Sequence, residues 1–253
     1  MKRILLFSIT TLLAVVLSAQ AAISEKQAVV TETKKDGYVK ETVGRNTYAG
    51  YYMNGQKTGA WVTYNEKDLL REVVEYKGDI KNGVAITFDA QGELVKEEHF
   101  VNGEYDGEVR EYLRGNYIVS KSIYTKGILN GPYVRYYTDK PGVIMEESNY
   151  KNGEKDGLSK WYTGEGLLLA TYSYQKGIFE GTNYEYYPNG NLMNETPYHN
   201  DIPTGIYNEY HEDGKTLKLT GKYVNGVKHG DWIETNTNGN VVKKMKYVNG
   251  ELK

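Results

Sequence analysis

A tyrosine or phenylalanine recurs at Tyr52, Tyr76, Phe100, Tyr124, Tyr150, Tyr174, Tyr198, Tyr223 and Tyr247. Successive members lie 24, 24, 24, 26, 24, 24, 25 and 24 residues apart. A period of this size marks a repeat array, in which each unit buries its apolar face only by stacking on its neighbours. The composition fits such a chain. It has 25 Tyr but only 4 Phe, 28 Gly and an apolar share of 39%. Tyrosine takes the place of aliphatic bulk, which suits a thin structure whose rings stay half wet.

With the leading aromatic as position 1, other residue types recur in phase. Asn-Gly occupies positions 3 and 4 at Asn54-Gly55, Asn102-Gly103, Asn152-Gly153, Asn225-Gly226 and Asn249-Gly250. Position 8 is glycine in every complete repeat, from Gly59 to Gly230. Position 13 is aromatic from Tyr64 to Tyr210, with Thr235 the exception, and position 19 is mostly aliphatic. Asn-Gly supplies the positive φ pair that two-residue hairpin turns demand. Between the turn signals lie runs of five to eight residues rich in Tyr, Val, Thr and Ile. The pattern predicts an all-β fold of tandem β-hairpins, about 24 residues each, forming one elongated antiparallel sheet or solenoid. No stretch after the first residues shows a sustained 3.6-residue apolar period.

The organisation expected is a signal peptide over residues 1–21, a polar linker over 22–36 and the array over 37–253. Within the array, residues 37–51 read as a degenerate cap, 52–246 as eight full repeats and 247–253 as a partial one. Lys2 and Arg3 precede an apolar stretch from Ile4 to Leu17, and Ala19-Gln20-Ala21 forms a small-x-small cleavage site. A stretch of fourteen residues falls short of the roughly 20 that span a bilayer. Cleavage near Ala21 would export the protein to the periplasm, the outer surface or the medium. Nothing later in the chain is apolar enough to span a membrane.

The residues quoted above, Tyr-x-Asn-Gly-x-x-x-Gly-x-Trp-x-x-Tyr followed by Gly-x-Leu, resemble the variant membrane-occupation-and-recognition-nexus (MORN) repeat. Clear instances are Tyr52 to Tyr64 and Tyr223 to Trp232, and the resemblance extends over residues 37–253. It implies a row of β-hairpins used for scaffolding and protein binding. Membrane association is claimed for some members of that family, but a net charge of −2 with interleaved signs does not support it here. Related bacterial proteins labelled as antitoxin components imply the cytoplasm, which is at odds with an export signal.

Catalytic chemistry has little foothold. There is no cysteine, so thiolate catalysis, zinc-thiolate sites and disulfides are excluded. His99, His199, His211 and His229 fall at unrelated repeat positions, so stacking does not gather them. The strand carboxylates alternate with Lys and Arg, as in Lys96-Glu97 and Arg110-Glu111, and read as an exposed face with weak ion pairs. Asn102 to Gly107 and Asn152 to Gly157 imitate the start of a calcium loop, but Leu113 and Thr163 stand where its bidentate Glu would be. No cofactor, metal or nucleic acid is expected. Positions 10 and 12 share one strand face. They place Trp61, Tyr133, Trp161, Tyr207 and Trp232 in an aromatic row, which reads either as packing within the ribbon, each ring covering its neighbours, or as the candidate face for a protein partner. The alternative is a carbohydrate- or choline-binding surface module, for which three tryptophans in the whole chain make incomplete cages.

Overall fold

The computed structural model describes residues 36–114 and 116–253. The signal peptide and all of the linker except Asp36 lie outside the described residues. Every regular element among those described is a strand, 23 in number from Gly37–Val43 to Glu251–Leu252, and all of the pairings are antiparallel. The chain divides into two compact halves, residues 1–128 and 129–253. A stacked repeat touches only its neighbours, so such a chain can separate between any two repeats.

In both halves the repeat is one hairpin. Residues 3 and 4 form its tip, with both φ angles positive: 52° and 72° at Asn54-Gly55, 54° and 86° at Asn152-Gly153. The same geometry holds where Asn-Gly is absent, at Gly78-Asp79, Lys126-Gly127, Lys176-Gly177 and Asn200-Asp201. These are two-residue turns whose twist matches that of the flanking strands. The opposite end closes on a type I turn capped by a side chain at position 14. Asn65 Oδ1 accepts from the Lys67 and Leu69 amides, and Asp89 Oδ1 from those of Gln91 and Glu93.

Each tip is tied to the repeat before it. The Gly103 amide donates to the Lys81 carbonyl, Gly127 to Tyr105, Gly153 to Leu129 and Gly177 to Lys155, all at 2.8 Å. A side chain at position 7 adds a second link, as where Asp106 Oδ2 accepts from the Lys126 amide and Asn130 Oδ1 from the Asn152 amide.

Two departures from plain hairpins recur. The register slips between positions 12 and 13, as between Thr63/Tyr64, Thr87/Phe88, Trp161/Tyr162 and Glu209/Tyr210. The partner strand there carries one unpaired residue, respectively Arg71, Val95, Leu169 and Lys218. This β-bulge re-aims the aliphatic at position 19. Leu70 and Leu94 thereby join Tyr64 and Phe88 over a core of Ala49, Val62, Val73, Val84 and Ile86. The second departure is at position 8. The glycines there do not sit at hairpin tips: in four repeats, at Gly107, Gly157, Gly181 and Gly205, they open the strand that resumes after a break, with φ of 120° at Gly107 and 113° at Gly205. A side chain rarely adopts that backbone, so the glycine is fixed by conformation rather than by a turn.

Candidate binding face

The five aromatic residues do not make one open row. Trp61 and Trp232 are 4% and 0% exposed, whereas Tyr133, Trp161 and Tyr207 are half-buried. An open face at Trp61 and Trp232 is therefore corrected: each indole lies flat on a glycine of the preceding strand, Trp61 on Gly50 and Trp232 on Gly221. The Trp61 indole N–H donates to the Tyr51 carbonyl at 3.1 Å. Tyr52 packs edge-on to Trp61 at 4.8 Å, and Tyr223 to Trp232 at 5.1 Å. Rings so covered cannot stack sugars or quaternary ammonium groups.

What this face carries instead is a spine built from positions 1 and 6. In the first half, the Lys57 ammonium sits 4.6 Å from the Trp61 ring and 5.0 Å from the Tyr76 ring, and Lys81 lies 4.9 Å from Phe100. Tyr105 then fills position 6, 4.8 Å from Phe100 and 5.1 Å from Tyr124. In the second half Lys155 lies over Trp161 and Tyr174, Phe179 packs between Tyr174 and Tyr198, and Lys228 covers Trp232 and Tyr247. An ammonium on a ring face is held by the ring quadrupole, and a ring in the same slot by edge and tilted contacts. Position 6 was missed from sequence. Its signal is the alternation of Lys57, Lys81, Lys155 and Lys228 with Tyr105 and Phe179 two places before the fixed glycine.

The carboxylates are the second correction. Glu97, Glu98 and Glu146 are buried at 4, 7 and 4% exposure rather than spread on a wet face. Burial of a charge requires partners. Glu98 accepts from the Tyr105 hydroxyl at 2.5 Å and pairs with Lys96 at 2.8 Å. Glu146 pairs with Lys155 at 2.6 Å and Arg135 at 3.2 Å, and it accepts from the Ser148 hydroxyl at 2.8 Å. A tyrosine at position 13 recurs as donor on the other face: Tyr112 to Glu97 at 2.9 Å, Tyr162 to Glu147 at 2.7 Å and Tyr210 to Glu195 at 2.8 Å. Burial, reinforced by the neighbouring carboxylate, pushes each of these phenols up to about 12. The acids are thus engaged singly, as acceptors for structural donors. Three histidines are held apart in the same way: His99 bonds the Glu108 carbonyl, His199 the Glu180 carboxylate and His211 the Thr235 carbonyl. Among the described residues, no group of three or more His, Asp or Glu is placed to hold a metal ion.

The family described as MORN repeat variant matches residues 81–102 and 179–200. Both segments begin at position 6 and end at position 3, four repeats apart, so the matches share the phase of the observed hairpins. Two of its repeats are MORN-variant repeats. The 24-residue period is the distance from one hairpin tip to the next. No curated protein matches the sequence.

Proposed function

We propose that the protein is an exported, non-enzymatic MORN-repeat scaffold that binds another protein through a face or edge of its sheet. The observation that carries this reading is the in-phase MORN match at two separated repeats of one uninterrupted period. Carboxylates and histidines spent on local structural partners favour a non-catalytic role. The basic, apolar and small-residue order of residues 2–21 supports export.

Crosslinking the protein in its native cells, with identification of the captured partner, tests the scaffold. Deletion of residues 157–204 removes two whole repeats and joins Asp156 to Gly205 in phase. Capture is expected to fail on that deletion, and unchanged capture would count against binding by the array. Mass spectrometry of the purified exported protein is expected to find a chain beginning at Ala22. Recovery of intact Met1 from the cytoplasmic fraction alone would sink the export.

A further inference from the structure

Charge is not spread evenly over the second half. Residues 215–253 carry eight lysines against Asp231, Glu234 and Glu251, a net +5. Residues 129–214 carry six basic against thirteen acidic side chains, a net −7. Basic and acidic segments therefore adjoin, although the whole chain sums to −2. An interleaved chain without a basic cluster was expected, and the last two hairpins do not conform.

The register places part of this excess on one face. Lys222 pairs with Ile206, Lys246 with Asp231 and Lys244 with Ile233, and cross-strand partners project to the same side. Lys222, Lys244 and Lys246 are exposed, and among the described residues none of them forms an ion pair. An open groove lined by Asp231, Ile233, Lys244, Met245 and Lys246 lies on this side, with Lys222 on the strand next to that of Asp231. Beside it Ile206 is 55% exposed. Asp231 is the one carboxylate among the groove's lining residues.

We propose that this groove is the docking face for an acidic, extended segment of a partner protein, an inference that rests on the scaffold reading above. Complementarity of charge selects the partner. Lys244 and Lys246 are two residues apart on one strand, a spacing of about 7 Å. An extended peptide repeats its own side chains on one face at the same interval, so alternate Asp or Glu residues meet the two ammonium groups in step. Apolar residues nearby give such a segment somewhere to bury aliphatic bulk, on Ile206 and Ile233. The lysine charge sets the partner's sign and speeds encounter.

The test uses the full mature chain and a fluorescent decapeptide alternating Glu with Val, with its Gln-for-Glu counterpart as control. Anisotropy is expected to show the acidic peptide binding at least about tenfold tighter than the control, with the difference collapsing as salt rises from about 50 to about 500 mM. Combined Lys222→Glu, Lys244→Glu and Lys246→Glu should weaken the acidic peptide by at least about tenfold, since like charges then face each other. Lys160→Glu, at an exposed lysine in the acidic segment, should leave it unchanged. Equal binding of both peptides, or indifference to the triple substitution, would overturn the proposal. So would gel filtration showing that the three lysines instead hold two copies of this chain together. If the peptide fails while cellular crosslinking still captures a partner from the triple variant, the groove assignment falls and the scaffold stands. Loss of both outcomes removes the scaffold as well.

Discussion

Gly221 sits at a register shift without a positive φ, and what requires glycine is the indole of Trp232 laid across it. A Cβ there would fall within the ring, as it would at Gly50 beneath Trp61. Gly221→Ala should therefore destabilise by about 1–3 kcal/mol through overpacking. Trp232→Ala should cost about 3–5 kcal/mol through the cavity it leaves. In denaturant melts the double variant should cost clearly less than the sum, because the added methyl then meets space; additive costs would show that the pair does not act together. The pairing was legible. Both tryptophans follow a glycine by eleven residues, whereas Trp161, at a different repeat position, follows Tyr150. What could not be read from the aromatic row alone is that a large ring on a bare backbone is covered rather than presented. The tyrosine–carboxylate pairs carry a second residue-scale consequence. Burial first, and then the Glu97 carboxylate, raise the Tyr112 phenol to about 12, above the value near 10 of an unfolded chain. Folding thus favours the neutral phenol. The stabilisation is whole below pH about 10 and is lost as pH rises through about 12, because the unfolded chain releases its proton first. Alkaline unfolding followed by circular dichroism should begin at higher pH relative to the neutral baseline in Tyr112→Phe. An identical alkaline profile would show that Tyr112 ionises freely.

At the scale of the hairpin, the glycine at position 8 and the bulge opposite positions 12 and 13 work together. The break before Gly107 leaves the Asp106 amide donating to the His99 carbonyl at 2.9 Å, and the strand then resumes with φ of 120°. A Cβ at Gly107 would lie 3.1 Å from the His99 Cβ in a backbone region that side chains rarely adopt. Gly107→Ala is expected to cost about 1–3 kcal/mol. The loss should be local, so hydrogen exchange should quicken first in the strands Leu94–Val101 and Gly107–Leu113 while Ala49–Val74 stays protected. Uniform quickening throughout the first half would mean that its repeats unfold as a single block. Hairpin tips were plain in the sequence because Asn-Gly has one strong conformational meaning. Bulges were not, since the extra residue is Arg71, Val95, Leu169 or Lys218, four chemistries with no common signature. The invariant glycine was plain, but its place was not, because positive φ in a strand break and in a tip favour the same residue.

Across the whole molecule the lattice is constant while its filling changes. In the first half one row of cross-strand partners begins Ala49, Val62, Val73 and Ile86 and goes on through Glu97, Arg110 and Lys121. The equivalent row in the second half runs Glu147, Lys160, Thr171, Tyr184, Glu195 and Asn208. An aliphatic core and a polar, partly exposed row thus occupy the same repeat positions, which is possible because the backbone links between tips do not depend on what fills the row. Repeat phase should then matter more than the identity of any one repeat. Deleting residues 157–180 removes one period and joins Asp156 to Gly181, restoring the glycine after the break. That variant should remain all-β by circular dichroism, with a denaturant m-value lower by roughly a tenth, in proportion to the surface lost. Deleting residues 157–168 instead joins position 7 to position 20 and removes the segment that pairs with Leu168–Gln175. Its second half should be cut rapidly by trypsin at the exposed lysines. Equal resistance of the two deletions would mean that strands re-register freely, and that the 24-residue period does not hold the repeats together.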